Sequence, residues 1–297
     1  MELRDIEVFL VLAEELHFGR TAERLYVSPA RISQVIKAQE RFIGAPLFER
    51  TSRAVRLTEV GRRLRDDLQP IHAGFHESLE RARMASRGVN ARLRVGLMPF
   101  NFGGIWPYWK AFQRLYPQWE LQIRLARFQD PFGQLRRGEF DVFVAWLPVE
   151  EPDLTVGPTL FTDPRVLTVA EDHPLAVRSS APLEIMGDFL VSSGELNLDY
   201  WEEGYLPFRT PRGRTIERRL RALHADEMIT AVSMGEIVMP FPSHVASYWN
   251  LPGIRYLPIP DLAPLSFALI WRTELENDLI RALAAIVRDL GTLDLRP

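Results

Sequence analysis

The 297-residue sequence contains no cysteine. That absence removes disulfides, thiolate metal sites and cysteine nucleophiles together, and leaves Ser, His, Asp and Glu for any catalysis. Lysine is scarce as well: Lys37 and Lys110 apart, the basic residues are arginine. No stretch approaches the roughly eighteen apolar residues of a membrane-spanning helix. The start, Met1-Glu2-Leu3-Arg4-Asp5, lacks the basic-then-apolar layout of a signal peptide. The expectation is therefore a cytoplasmic protein with no membrane partner. Gly-x-Ser-x-Gly elbows, Walker loops and Gly-x-Gly-x-x-Gly turns are missing too. His72 and His76, four apart, could hold a metal on one helical face, but no third ligand of suitable spacing is near and a charged exposed helix explains them better. The reading is of a non-enzyme with no cofactor, metal or catalytic residue.

What is present is an uneven charge. Net charge is -3, yet residues 20–65 carry eleven basic side chains against four acidic ones. Local potential attracts a polyanion more than total charge does, so this segment points to nucleic acid, unless it is merely a solvated charged surface. Within it the periodicity is helical. Leu3, Ile6, Phe9, Leu10, Ala13 and Leu16 form one amphipathic stripe, and Arg20 to Leu25 fits a short second helix. Ser28 can cap a third helix with Pro29 in its first position, Ile32, Val35 and Ile36 as its buried face and Gly44 as its stop. Residues 50–57 then alternate like a hairpin with basic tips. Three helices and a basic hairpin describe a winged helix-turn-helix over residues 1–58.

Thr58 opens a long helix with a narrow apolar stripe at Val60, Leu64, Leu68, Ile71, Phe75, Leu79 and Ala82. Such a stripe cannot bury itself and implies a partner chain. Pro70 predicts a bend or a helix in two pieces. Residues 59–91 read as linker and dimerisation helix with a hinge, the periodicity ending over 84–92. From Leu93 onward short apolar runs alternate with helical segments, the pattern of an α/β domain over 92–297.

The residues Phe9, Leu16, Phe18, Ala22, Leu25, Val27-Ser28, Ser33, Ile36, Glu40, Gly44, Leu47-Phe48-Glu49-Arg50, Leu57-Thr58 and Gly61 resemble the LysR-type transcriptional regulators in order and spacing. The resemblance implies an α/β multi-domain protein: winged helix-turn-helix, long linker helix and a two-lobed C-terminal domain similar to periplasmic binding proteins. The lobes would be roughly 92–162 plus 265–297, and 163–264. It implies dimers associating into tetramers that bend DNA, an operator with an interrupted inverted repeat, and a small-molecule effector, with RNA polymerase as a further partner. The departures are Pro29-Ala30-Arg31 after the capping serine and Gln39 where leucine is usual.

In such a fold the third helix enters the major groove. Arg31 can take guanine O6 and N7, or stay solvated or turn toward Glu40; Gln34 can take adenine N6 and N7. Ser28, Ser33 and Lys37 suit phosphates, Pro29 belongs to the same DNA-facing helix start, and the hairpin residues Arg50, Arg53 and Arg56 would reach the backbone or a neighbouring minor groove. Effector contacts are expected at strand ends: Pro99, Phe100 and Asn101 after the first strand, then Phe128, Trp146, Ser192, Ser193 and Phe241. The aromatic members suggest an aromatic or apolar ligand with few charges, unless they are packing residues. Lobe crossings are expected near Phe161 to Pro164 and Pro260 to Pro264. The competing readings are a regulator without a ligand, whose C-terminal domain only oligomerises, and, more remotely, an enzyme built on that domain.

Overall fold

A computed structural model describes residues 2–50, 55–86, 90–98, 101, 104–127, 130–193, 198–221, 225–248 and 250–295. The chain forms two compact units, Met1–Gly88 and Val89–Pro297.

The first unit contains α1 (Leu3–Glu15), α2 (Phe18–Arg24), α3 (Pro29–Ile43), the hairpin β1 (Phe48–Arg50) and β2 (Val55–Leu57), and α4 (Glu59–Ser86). Local chemistry sets the ends. His17 Nδ1 accepts from the Arg20 amide at 3.1 Å to start α2, and Ser28 Oγ accepts from the Arg31 amide at 3.2 Å to start α3. Gly44, at φ 80°, closes α3 in the left-handed region that glycine enters without strain. Phe9, Leu12, Ile32, Ile36 and Leu47 are fully buried in one core, onto which Leu64 and Leu68 of α4 pack. A side chain at Gly61 would meet the Leu47 carbonyl oxygen at 2.1 Å, so the first turns of α4 lie directly on the chain entering the hairpin. Leu3 and Leu16, expected in the α1 stripe, are 40% exposed at its two ends; Val8 and Leu12 are buried instead.

Pro70 does not divide α4, which is a single element through Ser86. The residue is exposed, so the carbonyl left without its amide partner meets water, and the cost of the proline falls. The loss of periodicity after residue 84 does not end the helix either; β3 begins at Ala91.

The second unit holds two sheets. In the larger, β3 (Ala91–Leu97), β4 (Trp119–Leu125), β5 (Val142–Trp146), β6 (Leu154–Asp163) and β12 (Leu265–Arg272) run in the order β4-β3-β5-β12-β6. β3 is parallel to β4 and β5, while β12 is antiparallel to β5 and β6. α5 (Trp106–Leu115) and α10 (Asp278–Leu290) cover it. The smaller sheet is β10 (Met239–Pro242), β7 (Arg165–Ala170) and β11 (Ile254–Pro258), antiparallel throughout, beside a parallel pair β8 (Val191–Ser193) and β9 (Arg218–Arg221). The chain passes between the sheets at Pro164 and again between Pro258 and Leu265. A seven-residue helix, α7 (Asp199–Tyr205), was not foreseen; it buries Trp201 and Tyr205, four residues apart, too few apolar positions to show a period.

Candidate functional site

Arg31, Gln34, Lys37 and Arg41 project from α3 into solvent, without a side-chain hydrogen bond or ion pair among the described residues. Gln34, Lys37, Glu40 and Arg41 line an open groove with Gly44, Ala45 and Pro46. Ser33 is half-buried, and Ser28 is occupied as the cap of α3 with Pro29 at its first position. Glu40 does not answer Arg31: its Oε1 accepts from the amides of Leu47 and Phe48 at 3.0 and 3.3 Å, bracing the hairpin against α3. In the hairpin, Arg56 is exposed opposite Glu49. The backbone of Arg50 lies in β1, whereas Arg53 falls outside the described residues.

The other arginines of the basic segment are neutralised. Arg24 bonds Glu14 and Glu15, both at 2.9 Å, and Arg20 reaches Glu15 at 3.3 Å. The Arg24 hydrogen bond outweighs partial burial and holds the Glu15 carboxyl below its ordinary range. On α4, Glu59 pairs with Arg62 and Arg63, and Arg65 with Asp66. Among the described residues, unpaired positive charge in this segment is thus left on Arg31, Lys37 and Arg41 of α3 and on Arg56 of β2.

In the second unit the turn after β3 carries Asn101, 1% exposed, whose amide oxygen and nitrogen both lack a hydrogen-bond partner among the described residues. Its backbone amide donates to the Met98 carbonyl at 2.9 Å. Pro99, Phe100 and Phe128 lie outside the described residues. Trp146, at the end of β5, does not present a free face there: its ring stacks on Trp201 at 3.7 Å and 3°, and each indole N–H donates to the other's carbonyl, at 3.0 and 2.9 Å. Tyr205 packs against Trp146 at 4.9 Å and donates its hydroxyl to Pro240 O of β10, so α7 ties the end of β5 to the smaller sheet. Ser192 and Phe241 are buried, in β8 and β10, and Ser193 continues β8.

A second buried group lies where β6 leaves the larger sheet. Asp163 Oδ1 accepts from Ser243 Oγ, and Oδ2 accepts from the His244 amide and faces His244 Nδ1, all at 2.8 Å. Burial alone would raise its carboxyl, but the His244 and Ser243 hydrogen bonds prevail and hold it below the ordinary value. Among the described residues no three His, Asp or Glu side chains are placed to hold a metal; His72 and His76 meet Nε2 to Nε2 at 3.2 Å. No described helix is long and apolar enough to cross a membrane.

Residues 3–62 match the model of the bacterial regulatory helix-turn-helix protein, lysR family, and residues 86–291 that of the LysR substrate binding domain. The chain belongs to the LysR family. It is similar to the HTH-type transcriptional regulator AlsR of Bacillus subtilis, 28% identical over 189 residues, covering 63% of this chain and 62% of AlsR. It is also similar to the DNA-binding transcriptional dual regulator OxyR of Escherichia coli, 30% identical over 193 residues, 64% of this chain and 63% of OxyR. Both matches thus span less than two thirds of the relative's own length. Among solved structures, CbnR, a LysR family transcriptional regulator, has a TM-score of 0.66 at 19% identity over 97% of this chain and 99% of that one, a likeness of fold.

Within this LysR family chain, sequence reasoning passed over four side chains. Arg41 continues the exposed face of α3, and Tyr26, 94% exposed at φ 53°, marks the turn before it. Trp201 takes the face of Trp146 that was expected to meet a ligand. Arg165 opens β7 and is 2% exposed; a charged residue heading the run Arg-Val-Leu-Thr-Val-Ala was the visible signal.

Proposed function

We propose that this LysR family member is a sequence-specific, DNA-binding transcriptional regulator whose C-terminal unit senses a small molecule. The observation that carries it is the sorting of charge in the first unit: Arg20 and Arg24 of α2 and Arg62, Arg63 and Arg65 of α4 are paired with carboxylates, while Arg31, Lys37 and Arg41 on α3 are left to solvent beside Gln34. Exposed, unpaired cations on a capped helix suit a polyanion, and phosphate contacts from Lys37, Arg41 and Arg56 would position Arg31 and Gln34 over base edges.

Dimerisation is supported by α4. Leu64 and Leu68 serve their own core, but Ile71, Phe75 and Leu79 are 63%, 42% and 43% exposed, a face that a second copy would cover. A twofold dimer would read an interrupted inverted repeat, and tetramers and contact with RNA polymerase follow the same family reading. The working boundaries are 1–58, 59–91 and 92–297, with lobes at 92–162 plus 265–297 and at 163–264, and the proposed location is the cytoplasm. For the sensor, the support is Asn101. A buried amide with both ends unpaired is costly unless a ligand or water completes it. With no cysteine in the chain, sensing by thiol oxidation is excluded.

The test is operator footprinting with the full chain. Each of Arg31→Ala and Gln34→Ala is expected to cost about 1–3 kcal/mol of discrimination between operator and mutated sites, roughly 5- to 150-fold. Unchanged discrimination in the double variant would remove α3 as the reading helix.

A further inference from the structure

The guanidinium of Arg165 is buried, yet it has a single hydrogen bond among the described residues. Its Nη1 donates to the Tyr205 carbonyl at 2.6 Å, and its plane lies over the Tyr205 ring, 4.4 Å from the centroid. Nε and Nη2 have no partner. The two unpartnered atoms are not an arbitrary pair. With Nη1 on the side of the side-chain stem, Nε–H and Nη2–H point the same way and form the edge that takes both oxygens of a carboxylate. The nearest anion does not serve them. Asp163 is close enough to favour the charged form of Arg165, but its two oxygens are occupied by Ser243 and His244. Burial pushes the guanidinium below its ordinary value, with the Tyr205 side chain and then Asp163 opposing. A buried cation left this way costs several kcal/mol unless something completes it.

We propose that Arg165 is an anion anchor that binds the carboxylate of a small organic acid side-on through Nε and Nη2. The proposal rests on the reading of the second unit as a sensor and names the chemistry of its ligand. Topology puts the anchor beside the other unsatisfied buried group. Arg165 stacks on Tyr205, Tyr205 packs on Trp146 at the end of β5, and β5 is the parallel neighbour of β3, whose exit carries Asn101. Arg218, which donates to the neighbouring Leu206 carbonyl, is paired with Glu202, so a single fork is left among the described residues and suits a monoanion: of the few charges expected on the ligand, it has one.

The experiment uses the full chain. Thermal unfolding is followed in sodium formate and sodium acetate, with sodium chloride of equal ionic strength as reference, for wild type, Arg165→Met and Arg165→Lys. Without added carboxylate, Arg165→Met melts higher than wild type, by at least about 2 °C, because an unpaired buried charge is replaced by an apolar side chain. Formate raises wild type and not Arg165→Met, and its titration midpoint in Arg165→Lys, which keeps the charge but lacks the fork, lies at a concentration at least tenfold higher than in wild type. The proposal falls if Arg165→Met melts lower and formate acts on it as on wild type, since the guanidinium is then a prop for Tyr205. It falls also if phosphate or sulfate raises wild type relative to Arg165→Met more than the carboxylates do, the variant removing the general stabilisation that these excluded anions give any folded protein. Footprinting separates this from the sensor reading. Carboxylates that bind through Arg165 without any altering the operator footprint leave the anchor and remove the sensor. A neutral molecule that alters the footprint equally in wild type and Arg165→Met leaves the sensor and removes the anchor.

Discussion

Arg31 on α3 and Arg165 at the head of β7 both lack a carboxylate partner, but one stands in water and the other is 2% exposed. The same deficit has different energetics in the two places. In water an unpaired guanidinium is hydrated at no cost, so its significance comes from contrast with neighbours that are paired. In the interior it is the lack of a partner itself that is costly, so a single residue suffices to mark a site. Asp163 supplies the contrast within the second unit: equally buried, it has three hydrogen-bond contacts.

The largest effect expected from breaking that contrast is at Asp163. Asp163→Ala strands the His244 amide, the His244 ring and the Ser243 hydroxyl, and should cost about 3–5 kcal/mol in denaturant unfolding. Since the folded carboxyl titrates below its unfolded value near 3.9, its contribution is complete above that value and is lost as pH falls through the folded one. The gap between wild type and variant should therefore narrow below about pH 4. A gap that is constant with pH would mean that the carboxylate charge contributes nothing.

Next in size is the contrast among exposed cations. Lys37→Ala and Arg41→Ala should each lower the slope of log affinity against log salt by about 0.9, the release of one counterion, whereas Arg24→Ala and Arg62→Ala should leave it unchanged and cost under about 1 kcal/mol of stability. Equal slopes for all four variants would show that the ion pairs of α2 and α4 do not shield their arginines from DNA.

The smallest effect concerns Gln39, 3% exposed in α3. Its Nε2 donates to the Asp5 carbonyl at 2.6 Å, but its Oε1 is buried without a partner. Gln39→Leu should raise stability by about 1 kcal/mol, removing an unsatisfied oxygen from an apolar core. A loss in chemical denaturation would mean that the bond to Asp5 outweighs it.

Much of the first unit was legible because its signals are local. A serine cap, a proline in the first turn and a left-handed glycine set α3 within about sixteen residues, and the stripe Ile32, Val35, Ile36 sets which face is buried. The charge count was legible too, but its distribution was not. Glu14 and Glu15 fall just outside the basic segment, and only the packing of α1 against α2 brings them onto Arg20 and Arg24. In the second unit most strands were visible as apolar runs, while β9, with the sequence Arg-Arg-Leu-Arg, and α7 were not.

The basic segment, the absence of cysteine and the alternation of helix and strand were determined by the sequence alone, because each depends on residue identity or on near neighbours. Tertiary structure decided which cations are free, that Trp146 stacks on Trp201 fifty-five positions away, and that Nε and Nη2 of Arg165 and the side-chain amide of Asn101 are buried without partners among the described residues. Hydrogen-bond satisfaction is a property of everything that surrounds an atom, and those surroundings come from distant parts of the chain.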